Sequence, residues 1–163
     1  MAWFANNLKT ACAKDLEDQN VLALQTLNDL QAYSVMRNAG CLTDPTSNTY
    51  CYLNAVRNSS PSELYFYGLP LGTALPKSTT PTCSACTRTV MGLFSAALLD
   101  PAQAAVLTGL KNTYSAAANV ADAQCGSGYA VTMNGAGGML ARGLSWWVGG
   151  AVAFVCTTLQ LWP

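Results

Sequence analysis

Apolar residues recur at spacings of three and four along most of the first 125 positions, and strict alternation is nowhere sustained. That period is helical, and it predicts a mainly α domain of five or six helices. Leu8, Ala11, Cys12 and Leu16 mark a first helix over residues 3 to about 18. Leu24, Leu27, Leu30 and Tyr33 repeat at i+3 in a second, Val21–Arg37, which Asp18 or Asn20 can cap and Asn38-Ala39-Gly40 can stop. Turn chemistry fills Asp44-Pro45-Thr46-Ser47-Asn48. A short helix is expected over Tyr50–Val56, where Leu53 and Val56 share a face.

Ser60-Pro61-Ser62-Glu63 has the form of a capping box with proline at the first helical position. It predicts a short aromatic helix, Leu64-Tyr65-Phe66-Tyr67, halted by Gly68 and Pro70, and then an ordered proline-rich loop from Leu69 to Pro81. Thr82 or Ser84 opens the next helix, through Leu98, with Val90, Leu93, Phe94 and Ala97 inward. Asp100-Pro101 repeats the cap-plus-proline signal and starts a last helix to about Ala123, ended by Gly126 and Gly128. The expected organisation is a helical domain over 1–125, a small-residue linker over 126–142, and a hydrophobic segment over 143–163.

That last segment, GLSWWVGGAVAFVCTTLQLWP, has 21 residues and no charge. As a helix it measures roughly 31 Å, enough to cross a bilayer core. Its layout fits a glycosylphosphatidylinositol (GPI) attachment signal: a small triplet at Asn134-Gly135-Ala136, a short spacer, then the hydrophobic end. Gly126-Ser127-Gly128 is a second triplet, followed by a longer spacer and the bulky Tyr129. A retained C-terminal membrane anchor and a buried core helix are the competing readings.

Composition narrows the chemistry. Charged residues are 10% of the chain and the formal net charge is zero, so the basic footprint of a nucleic-acid partner is missing. Histidine is absent, which removes Ser-His-Asp and Cys-His catalysis and His-ligated zinc or haem. No metal, cofactor or catalytic residue is expected, and the chain is read as a non-enzyme. Of the eight carboxylates, Asp18, Glu63 and Asp100 are assigned to caps, Asp44 to a turn, and Asp15 with Asp18 to a solvated face.

Seven cysteines form a six-plus-one set: Cys12, Cys41, Cys51, Cys83, Cys86 and Cys125 precede Asn134, and Cys156 follows it. Six allow 15 pairings; Cys41 with Cys51, across a turn-rich loop, is the pair the spacing favours. Cys83-Ser84-Ala85-Cys86 lacks the strand-to-helix context of a redox site and the further ligands of a zinc site, so two disulfides to different partners are expected there. Tyr50, Tyr52, Tyr65, Phe66 and Tyr67 read as half core and half rim, with a ligand or glycan surface as the alternative. With the Leu69–Pro81 loop they are the expected pocket mouth if the chain is instead a secreted small-molecule or lipid carrier. Asn58-Ser59-Ser60 is a glycosylation acceptor sequence with Pro61 directly after it.

Several blocks, taken in order, carry a resemblance: Cys12 to Asn20, LQAYSVMRNAGCL (30–42), YCYLNAVRN (50–58), LYFYGLPLGTALP (64–76) and PTCSAC (81–86). Over about Cys12 to Cys125 the chain resembles an uncharacterised domain family of fungal secreted, cysteine-containing, often GPI-anchored cell-surface proteins. The resemblance implies the extracellular face of the plasma membrane or the cell wall, or alternatively an integral membrane protein held by the C-terminal segment. It implies contact with the membrane and with cell-wall glycan or protein, and no catalytic residues. It also implies a signal peptide and an upstream region; the first 20 residues have no such signal, so a truncated N-terminus and an upstream partner for Cys12 are expected.

Overall fold

The computed structural model describes residues 1–130. Seven α-helices and one 3₁₀ helix account for the regular structure among them. The helices are α1 (Ala2–Ala11), α2 (Ala13–Glu17), α3 (Val21–Gly40), α4 (Cys51–Arg57), the 3₁₀ helix (Leu64–Leu71), α5 (Ala85–Leu99), α6 (Pro101–Ala104) and α7 (Thr108–Cys125). The mainly helical class is as expected. A single antiparallel bridge, Thr43 to Tyr50, is the extended pairing of the described residues.

Caps explain where the long helices begin. The Asn20 side chain accepts from the backbone N–H groups of Leu22 and Ala23 and starts α3. Ser84 does the same for α5 through Thr87 N–H at 3.1 Å. The expected first helix is two: Cys12 leaves helical geometry and separates α1 from α2. The expected last helix is also two. Asp100 caps α6 through Ala102 N–H, but the chain breaks at Leu107, whose side chain turns into the core.

At the centre lies the 3₁₀ helix, with Phe66, Tyr67, Leu69 and Pro70 all buried. It packs against α3, α4, α5 and α7. Gly68 and Pro70, expected to halt it, lie inside it. Pro70 has no N–H to donate, so one bond of that helix is given up there, and the turn is carried on by Gly72 N–H to the Leu69 carbonyl and Thr73 N–H to the Gly68 carbonyl. Gly72, in the left-handed region at φ 82°, ends it. Around it, α3 contributes Ala32, Val35 and Ala39, α5 contributes Val90, Met91, Phe94 and Ala97, and α7 contributes Leu110, Tyr114 and a row of alanines. Small residues on α3 and α7 let the backbones approach. Packing continues past Cys125 to Tyr129 and Ala130, both buried, where the sequence suggested a linker. Of the described helices, none is long and apolar enough to cross a membrane.

Candidate functional site

Two disulfides converge on the first turn of α5. Cys51 pairs with Cys86, and Cys83 pairs with Cys125. The Cys83-x-x-Cys86 thiols therefore go to different partners: one ties α5 to α4, the other ties the loop before α5 to the end of α7. The Cys41–Cys51 pair favoured by spacing does not form. Its loop closes without it: Asp44 N–H donates to Thr49 carbonyl, Cys51 N–H to Leu42 carbonyl, and Asn54 Nδ2 to Asp44 Oδ2. Cys51 is thereby turned into the core, and Cys41 is left exposed. Cys12 is half-buried and, like Cys41, a free thiol. These two cannot meet. Cys12 lies one short helix before the start of the 20-residue α3 and Cys41 just after its end, about 30 Å apart along that axis, whereas a disulfide needs Cα atoms within roughly 7 Å. Cys156 and Asn134 lie outside the described residues.

Beside the disulfides sits a buried polar cluster. Glu63, only 6% exposed, is the one buried charged residue among those described. It does not complete the capping box; its carboxylate accepts from the Thr82 hydroxyl. Ser62 Oγ accepts from Thr80 N–H at 3.3 Å, and the Tyr129 hydroxyl donates to the Ser84 carbonyl. The Arg88 guanidinium lies 5.0 Å above the Tyr129 ring, a cation–π contact. Burial, followed by the Glu63 charge, holds the Tyr129 phenol above its ordinary pKa. The same two causes, with a smaller contribution from Tyr52, push Tyr67 up to about 12. Tyr67 Oη and Thr79 Oγ1 are buried with no hydrogen-bond partner among the described residues. Mechanically, the cluster fastens the 72–84 loop to the 3₁₀ helix and to the residues after α7. In the sequence Glu63 holds the place of a cap; the aromatic run directly after it is the available sign of burial.

The remaining carboxylates are exposed or half-buried. Asp18 pairs with Lys14 across one exposed turn, and Asp122 accepts from Ala130 N–H. Asp44 and Asp100 are held below the usual carboxylate range, chiefly by Thr46 N–H and by Gln103 respectively. No group of three or more Cys, Asp or Glu able to hold a metal occurs among the described residues. The aromatic run divides as read: Phe66 and Tyr67 are buried, while Tyr50, Tyr52 and Tyr65 are exposed. Tyr52 meets Tyr67 edge-on at 5.0 Å. Asn58 is exposed at the end of α4. On the other side, α1, α3 and α6 enclose a half-open groove of about 270 Å³, lined by Ala5, Leu30, Val35 and Val106 with Lys9 and Gln103.

A domain of unknown function (DUF7729) matches residues 1–134. The chain belongs to that family. No curated protein and no solved structure matches it. The DUF7729 match spans every described helix, both disulfides and the buried polar cluster, so these belong to the family domain.

Proposed function

We propose that this DUF7729 protein is a non-enzymatic module of the cell surface or cell wall, with a structural or interaction role. It is held at the extracellular face of the plasma membrane by a GPI anchor at Asn134. The observation that carries the reading is the pair of disulfides, each closing a long loop of the core, at separations of 35 and 42 residues. Such cross-links form and persist in oxidising compartments. The uncharged segment 143–163 and the small triplet before it supply the anchoring part. Its partners are cell-wall glycan or protein, reached through exposed apolar side chains such as Tyr52, Leu53 and Val56.

Mass spectrometry of the native, full-length protein tests this. The expected product carries Cys51–Cys86 and Cys83–Cys125 and ends in a glycolipid at Asn134. Finding 146–163 still attached moves the reading to an integral membrane protein anchored by that segment. Finding all cysteines reduced defeats both. The second reading, a lipid or small-molecule carrier, has this groove behind it, which is lined by no residue of the Leu69–Pro81 loop or the aromatic run where the sequence placed a pocket mouth. At about 270 Å³ and half-open, the groove falls just short of the roughly 300–1,000 Å³ of ligand-enclosing cavities. That ranks it second.

A further inference from the structure

The chain has 11 asparagines, and only Asn58 has serine or threonine two positions on. That residue caps the C-terminal end of α4 with extended backbone, φ −65° and ψ 137°. Its own N–H is used, donating to the Asn54 carbonyl at 3.1 Å. Its side-chain oxygen accepts from Ser60 N–H at 3.0 Å, an Asx turn. The carboxamide is therefore already folded back towards the residue two positions on, with Nδ2 making no hydrogen bond among the described residues. Val56, Arg57, Asn58 and Ser59 are all exposed, and Ser60 is half-buried. An enzyme gripping the turn meets a short helix end and has to open one contact, the 3.1 Å bond that the Ser60 hydroxyl donates to buried Ser62 Oγ.

We propose that Asn58 is an N-glycosylation site. The inference rests on the compartment assigned above, since the donor sugar is supplied on the secretory route. The donor is an oligosaccharide linked through diphosphate to a membrane lipid. Asn58 Nδ2 forms a bond to the anomeric carbon of its first sugar. The bond from that carbon to the diphosphate oxygen breaks, the lipid diphosphate leaves with the electron pair, and Nδ2 gives up one proton to the transferase. The product places a hydrated glycan at the C-terminal end of α4. Pro61 follows the acceptor sequence and stiffens the chain just where a transferase must bind it. The Asx turn is formed with Pro61 in place, so the site is occupied in part of the molecules, and removing the proline raises that part.

The test is translation of the full chain, behind a cleavable secretory leader, into eukaryotic microsomes. Protease protection shows entry, non-reducing peptide mapping shows the disulfides, and endoglycosidase digestion shows the glycan. The expected result is one endoglycosidase-sensitive increment in a fraction of the protected, disulfide-bonded protein. It disappears in Asn58→Gln and in Ser60→Ala, and grows in Pro61→Ala. Because Asn58→Gln keeps Ser60 and Pro61, loss of the increment there is not a folding effect, and its disulfide map checks this. Protected, disulfide-bonded protein with Asn58 bare in both the parent and Pro61→Ala overturns the inference while leaving the compartment reading standing. Protected protein with all cysteines reduced would instead count against the compartment.

Discussion

Gly109, in the first turn of α7, faces the backbone of the 3₁₀ helix. A Cβ there would lie 2.6 Å from the Pro70 carbonyl oxygen, 2.7 Å from Gly72 N and 2.9 Å from Asn28 Oδ1. Two of those atoms are backbone and cannot swing aside, and Gly109 N–H also donates to Asn28 Oδ1. Alanine gains up to about 1 kcal/mol of helix propensity against an overpacking cost of about 1–3 kcal/mol, here at its upper end. Gly109→Ala should therefore destabilise by about 2 kcal/mol. Gly92, inside α5, has nothing within 4 Å of its Cβ position, so Gly92→Ala should stabilise by about 0.5–1 kcal/mol. Denaturant titration of the two variants should give opposite signs; stabilisation of both would mean that helix propensity alone governs them. At Tyr67 the hydroxyl is buried without a partner among the described residues and its pKa is raised to about 12. A raised folded pKa favours the protonated form. Its contribution is thus full below the unfolded value of about 10 and is lost as pH rises from about 10 to 12. Tyr67→Phe removes an unsatisfied group that costs about 1–3 kcal/mol. It should raise stability by about 1 kcal/mol at neutral pH and shrink the loss measured between pH 10 and 12. A destabilised Tyr67→Phe would show instead that the hydroxyl holds a water or a bound molecule.

Among the elements, α4 has seven residues, too few for a helix to persist on its own in water. What holds it is Cys51, in its first turn, bound to Cys86 in the first turn of α5. Closing loops of 35 and 42 residues, each disulfide is worth about 4 kcal/mol by chain entropy. A paired Cys51→Ala, Cys86→Ala variant should lose about that much and should also speed amide exchange selectively in 51–57. A uniform increase across all helices would argue that α4 is held by packing alone. The elements also divide by how readable they were. α3 and α5 were legible because Asn20 and Ser84 are strong caps on long periodic runs. The face of α3 was misread, for a geometric reason. An i+3 series falls 60° short of a full turn at each step, so Leu24 and Tyr33 drift out to solvent, and the buried stripe is Ala32, Val35 and Ala39. The break at Leu107 and the continuation of the 3₁₀ helix through Pro70 are set by neighbours, Gly109 against Pro70 above all, and no local signal announces them. Glu63 was legible as a cap and not as a buried acceptor, because Thr82, its partner, lies 19 residues away. The cysteine pairs were hidden for the same reason: adjacency along the chain favoured Cys41, and only the packing of α4 on α5 turns Cys51 elsewhere.

Across the whole described molecule, cross-linking and burial are both lopsided. Both disulfides, the buried polar cluster and the largest buried side chains belong to the residues from Val21 onward. α1 buries only Ala5, and α2 buries nothing. Met1, the residue before α1, and Trp3 and Phe4 on it are exposed, with Trp3 at 67%. The one ion pair of this region, Lys14 with Asp18, is exposed on both sides, where such pairs add about 0–1 kcal/mol. Conformational entropy is therefore opposed here by little buried area, while the remainder is held by packing and by two covalent closures. The α1–α2 segment should open as a unit at a free energy well below that of global unfolding. In native-state hydrogen exchange, amides of α1 and α2 should exchange several orders of magnitude faster than those of α5 and α7. The alkylation pattern should follow: Cys41 labels first, Cys12 at the rate of segment opening, and Cys51, Cys83, Cys86 and Cys125 only after reduction. Protection of α1 equal to that of α5 would mean that α1 is covered in solution, and the groove between α1, α3 and α6 would then be the place to look for what covers it.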